Sequence, residues 1–266
     1  MIRIKTPQEI NIMAEGGKVL AKILQAIAEK VKPGITTMEL NKAASDLVFA
    51  CGGNPAFLGY QGFPAALCTS VNEEIVHGVP SERKLKEGEI IGLDLGILYP
   101  VAKCSHCPMG ASCNPENKPF FVDAALTVPV GEISNEAEKL IKVAKGALDV
   151  AIEKIKPGAH LGDIGFAIQK YVEGEGFSVI RNLVGHGVGY ELHEDPEVPN
   201  FGQVGEGPVL KEGMTLAIEP MIAAGDWKVR QNKNSFAFET QDKSLAAHSE
   251  HTVAVTKDGC EVLTRI

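Results

Sequence analysis

The chain has 266 residues, 44% hydrophobic and 23% charged, with 26 Lys plus Arg against 34 Asp plus Glu for a formal charge of −8. This composition belongs to a globular protein with a sizeable core; the acidic balance without a basic run argues against phosphate-backbone binding, and no apolar stretch approaches the roughly 20 residues of a membrane span. The N-terminus MIRIKTPQEI lacks the apolar region of a signal peptide, and six cysteines in a chain this size do not read as a secreted disulfide scaffold, so a cytoplasmic location is expected.

Thr6-Pro7-Gln8-Glu9 has the form of a capping box with proline at the first helical position. Ile10, Met13, Leu20, Leu24 and Ile27 then share one face, which predicts a helix to about Val31, before Pro33-Gly34. A second helix is predicted from about Thr37 to Ala50, stopped by Gly52-Gly53. Residues 57–80 mix Gly, Pro, aromatics and short β-like runs and read as loops and strands. Glu89–Tyr99 and Phe120–Val128 read as strands, with a loop of Cys, Pro, Asn and Gly over 103–119 between them. Helices near 134–155 and 161–175, and strands near 178–184, 214–222 and 248–256, complete the chain.

Parts of this order occur twice. LKEGEIIGLDLG begins at Leu85 and LKEGMTLAIEPM begins at Leu210, 125 positions on, so Asp94 and Glu219 are equivalent. KVKPG and KIKPG end at Gly34 and Gly158, an offset of 124, each followed by a helical pattern. FFVDAALTV places Asp123 in an apolar run and HSEHTVAV places Glu250 in another, an offset of 127. A duplicated unit of this length is too long for a solenoid repeat. It predicts a single domain over 1–266 built from two halves, about 1–133 and 134–266, related by a pseudo-two-fold axis. The class is α+β, with helices on one face of a mainly antiparallel sheet.

An acid inside an apolar strand is expensive to bury alone. For any one of Asp94, Asp123, Glu219 and Glu250 the plain alternative is an ion pair or a strand end facing water. Four such acids at duplicated positions, with no Lys or Arg in the strands, are explained more simply by a shared pair of cations. His186, in LVGHGVG, is a fifth candidate ligand, with Gly185, Gly187 and Gly189 letting the backbone pass close to a site. The string is not G-x-G-x-x-G and lies in no βαβ unit, which argues against a nucleotide fingerprint. Four carboxylates with one imidazole suit two divalent ions such as Mn, Fe, Co or Zn better than a thiolate zinc site does. His77 in IVHGVP and His193 in YELHEDP sit on Gly- or Pro-bounded loops, where they are either ordinary surface residues or donors beside the metals.

The motifs GYQGFPAALCTSVNEEIVHGVP, LDLG, VDAALTV, GHGVG, LHEDP, MTLAIEPM and SEHTVAVT, in this order from about Ile4 to Leu263, resemble those of type I methionine aminopeptidases, M24 peptidases of the pita-bread fold. The resemblance implies a two-metal centre: Asp94 on one ion, Asp123 and Glu250 bridging, and His186 and Glu219 on the other. It implies that His77 contacts the scissile amide, that His193 holds its carbonyl oxygen, and that Glu219 carries a proton to the leaving amine after attack by a metal hydroxide. Phe57, Tyr60, Phe63, Cys68, Leu192 and Phe236 would surround the methionine side chain. The implied activity is removal of the N-terminal methionine from nascent polypeptides before a small second residue, with the ribosome as meeting place. The enzyme is expected to be a monomer with no nucleic-acid specificity and no membrane association. In this chain Phe57 and Phe236 stand where many relatives carry Cys and Trp, and His248 stands where Gln is common. Asp94 and Asp123 are 29 residues apart, against about a dozen in relatives.

The nearest alternative is an X-Pro aminopeptidase or dipeptidase of the same fold. A metal-free binding protein of that fold is a second, set against the retention here of all five ligands. The segment AKCSHCPMGASCNPENKPF raises a further question. Cys104-x2-Cys107 has zinc-knuckle spacing and Cys113 offers a third thiolate, so an extra structural zinc on Cys104, Cys107 and Cys113 is one expectation and a plain loop of reduced thiols the other. A zinc-ribbon nucleic-acid module there conflicts with the charge of −8. Cys51 and Cys260 have no evident reason to lie near that loop.

Overall fold

The computed structural model describes residues 1–104, 107–110, 114, 116–232 and 235–265. In chain order the elements are α1 (Pro7–Ala28), α2 (Thr37–Ala50), β1 (Asn54–Pro55), a 3-10 turn at Tyr60–Gly62, β2 (Cys68–Val71), β3 (Glu74–Val76), β4 (Ile90–Tyr99) and β5 (Phe120–Pro129). They continue with α3 (Asn135–Ile152), α4 (Leu161–Gly174), β6 (Ser178–Val179), β7 (Val184–Gly187), β8 (Glu194–Pro199), β9 (Thr215–Ile218) and β10 (Met221–Ala223). The last are β11 (Val229–Gln231), β12 (Phe238–Thr240), β13 (Ala246–His248), β14 (Glu250–Thr256) and β15 (Gly259–Val262).

Both helices of the first half start on reciprocal caps. The Thr6 hydroxyl accepts from Glu9 N at 3.3 Å while Thr6 N donates to the Glu9 carboxylate at 2.8 Å. Thr36 and Glu39 repeat the arrangement at 3.1 and 2.7 Å. The helix expected to reach Val31 ends at Ala28, because its last turn tightens: Lys30 N and Val31 N bond back to Ile27 and Ala28.

The main sheet runs β1-β4-β5-β14-β9-β7-β8, with β15 added beside β14 and β2 beside β4, and its pairs are antiparallel. Side chains alternate along each strand. Leu93, Leu95, Ile97 and Val122 pack with Leu20, Ile23, Leu40 and Val48 of α1 and α2. Leu216, Ile218, Val253 and Val255 pack with Leu140, Leu148, Ile164 and Ile168 of α3 and α4. The helices therefore cover one face of a curled antiparallel sheet, and residues one step out of phase point to the other face.

One strand expected to be continuous is broken, and another starts after a break. The run predicted over 214–222 splits into β9 and β10 at Glu219-Pro220, while the run over 248–256 forms as β14 from Glu250, with His248 across Ser249 ending the separate strand β13. Pro220 has no N–H to continue the ladder. Both strands change sheet together: β9 pairs β14 in the main sheet, while β10 pairs β13 in a three-stranded sheet. Likewise only Ser178–Val179 of the strand expected over 178–184 forms, before the chain turns into β7.

Cys51 corrects the expectation that it lies apart from the 103–119 segment. It caps the end of α2 and is joined to Cys107 by a disulfide, with Cα atoms 4.4 Å apart. β1 carries the chain from α2 onto β4, with Asn54 opposite Leu98, and Val101 N donates to Gly52 O at 2.8 Å. The segment after β4 therefore leaves directly over the end of α2. Cys104 is also engaged in a disulfide, so neither Cys104 nor Cys107 is the reduced thiol of a plain loop; Cys113 lies outside the described residues. Cys68 and Cys260 are free.

Candidate metal and peptide site

Strand register alone brings the five candidate ligands to one place. Asp94 of β4 and Glu250 of β14 both stand opposite Ala125 of β5, one from each side. Asp123 is two residues before Ala125 and so shares its face. On β9, Ile218 pairs His251, which puts the next residue, Glu219, beside Glu250. On β7, His186 pairs Ala217, two residues before Glu219. All five lie on the face turned away from the helices. Glycine serves this strand packing: a Cβ at Gly185 would meet the Ala217 carbonyl oxygen at 2.4 Å, so a side chain there would push β7 off β9. The glycines beside His186 thus fit β7 between its neighbouring strands.

Asp123, His186 and Glu250 present ligand-type atoms within 4.8 Å of one another. His186 Nε2 is 3.5 Å from Glu219 Oε1 and 4.0 Å from Asp123 Oδ2. His186 Nδ1 lies 2.9 Å from the Gly187 carbonyl oxygen, a contact that requires the proton on Nδ1. Nε2 then carries the lone pair, aimed at the acids. The Thr252 hydroxyl holds the backbone of Asp123 on both sides, accepting from its N at 2.9 Å and donating to its O at 2.8 Å.

Burial pushes all four carboxyls up, Asp123 to about 7 and Asp94, Glu219 and Glu250 well above the usual carboxylate range. Mutual repulsion adds to this; Glu250 feels Asp123, Glu219 and Asp94 in turn. Burial also holds His186 down at about 3. No Lys or Arg lines the cavity among the described residues, and Asp94 Oδ1 and Asp123 Oδ1 are buried without a hydrogen-bond partner. Crowded oxygen donors without a cation of the protein's own, beside an imidazole lone pair, fit divalent metal.

These residues floor a cavity of about 480 Å³. Phe57, Tyr60, Phe63, Cys68, Leu192 and Phe236 line it, as do His77 and His193, so every residue singled out for the site faces the same space. Phe63 and Phe236 meet edge to face at 5.4 Å, and Tyr60 and Phe236 are 36% and 37% exposed, which puts these two at the mouth. The Tyr60 hydroxyl and His193 Nδ1 form a hydrogen bond of 2.8 Å, and the rings of His193 and His186 are 4.3 Å apart. Removal from water holds His77 at about 4 and lowers His193 as well. Burial and the carboxylates raise the Cys68 thiol well above its ordinary range.

Other parts of the site were not legible beforehand. Lys5 Nζ and the Glu194 carboxylate form a buried ion pair at 2.6 Å, with the side chains 1% and 3% exposed. Glu194 also accepts from Tyr190 N and Glu191 N, so it anchors the loop that presents His193. Nothing local marks a pair of residues 189 positions apart. His248, noted only as a departure from a family pattern, is buried with Nε2 3.8 Å from Glu219 Oε2.

The sequence profile of metallopeptidase family M24 matches residues 11–111 and 109–257. A methionine aminopeptidase of Clostridium perfringens is 45% identical over 266 residues, 100% of both chains. The crystal structure of methionine aminopeptidase from Thermotoga maritima is 43% identical, with 100% of each chain covered and a TM-score of 0.90. The prolidase of Pyrococcus horikoshii shares the fold, with 22% identity and a TM-score of 0.71, and the chain covers 63% of it. Among the described residues no helix is long and apolar enough to cross a membrane. With full-length identity to the aminopeptidases about twice that to the prolidase, the chain belongs to metallopeptidase family M24, among its methionine aminopeptidases.

Proposed function

We propose that this chain removes the N-terminal methionine from nascent polypeptides whose second residue is small. The observation that carries the reading is the single cavity in which a carboxylate–imidazole cluster adjoins an apolar pocket of Phe57, Tyr60, Phe63, Cys68, Leu192 and Phe236. An unbranched thioether suits such a wall of aromatic faces and one sulfur. In this reading Asp94, Asp123, His186, Glu219 and Glu250 would together hold two divalent ions (Mn, Fe, Co or Zn). Bound divalent ions supply Lewis-acid chemistry, lowering the pKa of water and stabilising charge on a carbonyl oxygen.

The chain's own residues do the rest. The Tyr60 hydroxyl donates to His193 Nδ1, which leaves a proton on Nε2 to donate to the carbonyl oxygen as negative charge develops there. His77, which lines the same cavity, contacts the scissile amide. Glu219 passes a proton to the leaving amine. Tyr60 and Phe236 narrow the mouth, so a large second residue is excluded. We further infer one catalytic domain of two related halves, about 1–133 and 134–266, since α1-α2 and α3-α4 each cover two of the strands carrying the acids. The reading extends to a cytoplasmic monomer meeting its substrates at the ribosome.

The test is a peptide assay on metal-depleted protein titrated with Mn, Fe, Co and Zn. Release of Met from Met-Ala-Ser should return with added ion and remain far slower on Met-Lys, and Gly-Pro peptides should not be cleaved. Asp123→Ala should fold and lose more than ~100-fold in activity, since even residues that merely support a metal ligand are worth 10–100-fold. An active Asp123→Ala enzyme, or equal rates on Met-Lys and Met-Ala, would sink the assignment.

A further inference from the structure

His248 lies beside the acids and has no part in the reading above. Its side chain is 3% exposed, and its Nε2 is buried without a hydrogen-bond partner. An orphaned polar atom in such a place costs about 1–3 kcal/mol. Nε2 stands 3.8 Å from Glu219 Oε2, while Glu219 Oε1 lies 3.5 Å from His186 Nε2. One imidazole thus faces each oxygen of the same carboxyl. His248 does not line the catalytic cavity, whereas Glu219 and His186 do, and it is not in the Asp123–His186–Glu250 cluster. It stands behind Glu219, where it can hold a metal ligand without being one.

The backbone fixes both members of the pair. Ser249 N donates to Pro220 O at 3.3 Å, and His248 pairs with Met221 across β13 and β10. His248 N donates to Thr127 Oγ1 at 3.0 Å and the Thr127 hydroxyl donates to His248 O at 2.8 Å, the same two-sided hold that Thr252 gives Asp123. Asn200 Nδ2 donates to Glu219 O at 3.0 Å. We propose that His248 is a positioning residue for Glu219: with its proton on Nε2 it donates to Glu219 Oε2 in the loaded site, so that Oε1, on the His186 side, is the oxygen left to ligate. A neutral imidazole has one N–H and an ionised carboxylate only accepts, so this bond satisfies both groups. Closing the gap to the ordinary distance of about 2.9 Å takes a shift of about 1 Å, and catalytic hydrogen bonds are commonly long until the site is filled. A carboxyl held in this way keeps one orientation for binding the ion and for passing a proton to the leaving amine. The proposal deepens the peptidase reading and rests on the place of Glu219 in it.

Calorimetric titration of the metal-depleted full chain with Mn and Co, with the visible spectrum of the Co-loaded form, compares wild type with His248→Gln, His248→Asn and His248→Leu. The amide nitrogen of Gln reaches the place of Nε2, that of Asn only the place of Nδ1, and Leu fills volume without a donor. His248→Gln should keep the wild-type Kd and cobalt spectrum. His248→Asn and His248→Leu should bind ion about 10–100-fold more weakly, the usual effect of removing a partner of a metal ligand. At saturating ion these two should also lose kcat on Met-Ala-Ser with KM nearly unchanged. Nitrogen-15 spectra of histidine-labelled, Zn-loaded wild type should show a protonated Nε2 for His248, assigned by its loss in His248→Gln. Circular dichroism and melting report whether His248→Leu folds, and the comparison of Gln with Asn decides the matter if it does not. Ion affinity that is equal in the Gln and Asn variants, unchanged in a folded His248→Leu, or as weak in His248→Gln as in His248→Leu overturns the proposal, as does an unprotonated Nε2. Ion binding is read without turnover, so a chain that binds ion as expected but releases no methionine sinks the peptidase reading alone.

Discussion

The Tyr60 hydroxyl orients the His193 ring through one bond of 2.8 Å, while the Gly187 carbonyl sets both the orientation and the tautomer of His186. In the proposed function these two imidazoles, 4.3 Å apart, take opposite tasks, one offering a lone pair to the acids and the other a proton to substrate. Tyr60→Phe keeps the ring at the pocket mouth and removes only the bond. A neutral hydrogen bond is worth about 1 kcal/mol, so kcat should fall roughly fivefold with KM for Met-Ala-Ser nearly unchanged. In a His193→Ala background the same change should be silent, because the two act as one unit. A full effect of Tyr60→Phe in that background would show that the hydroxyl acts elsewhere.

At the scale of elements, the site depends on how closely α1 lies on the rest of the fold. Gly17 faces the C-terminal stretch, and a Cβ there would sit 2.2 Å from the Leu263 carbonyl oxygen. Ala is better than Gly inside a helix by about 1 kcal/mol, but backbone cannot yield as a flexible side chain can. Overpacking costs about 1–3 kcal/mol and should win. Gly17→Ala is therefore expected to lower the urea midpoint at unchanged slope, and a stabilised variant would show that α1 can slide outward freely. The paired breaks at Glu219-Pro220 and Ser249 belong to this scale as well. They let β9 and β14 deliver Glu219 and Glu250 side by side and then pass into the smaller sheet.

For the whole molecule, the acid cluster couples stability to pH. In the metal-free chain Asp123 has a pKa of about 7 against 3.8, and Asp94, Glu219 and Glu250 are also raised. The folded chain then holds protons that the unfolded chain has released, so stability falls as pH rises from the unfolded value through the folded one. The histidines work in the opposite sense: His186 and His248 at about 3, and His77 and His251 at about 4, lose stability as pH drops below 6.5. Above 6.5 the histidine contribution is flat and the acids alone decide. The unfolding free energy of metal-depleted protein should fall from pH 6.5 to about pH 8, by up to about 1.4 kcal/mol per pH unit for each proton still held, and its melting temperature should fall with it. Divalent ion should flatten the fall, since it binds the ionised carboxylates. A metal-free melting point that rises over this window would contradict the buried acid cluster.

Local chemistry was enough for much of this. The capping residues Thr6 and Thr36 mark where α1 and α2 begin, and α2 ends at Ala50, as its pattern predicts. The acids stood out because charge inside an apolar run needs a partner wherever it is buried. What the sequence could not determine is who stands beside whom. A slip of one residue between β4 and β5 would turn Asp94 to the helix side, and only the pairing with Ala125 excludes it. Pro220 gave a local hint of the strand break, but the matching break at Ser249 follows from a partner strand. The Lys5–Glu194 pair and the meeting of Cys51 with Cys107 have no local signal, because their members lie 189 and 56 positions apart. Propensity and patterning act over a few residues, whereas register and contact across such distances are set by the packing of the whole chain, and it is that packing which turns a row of separate acids and histidines into one site.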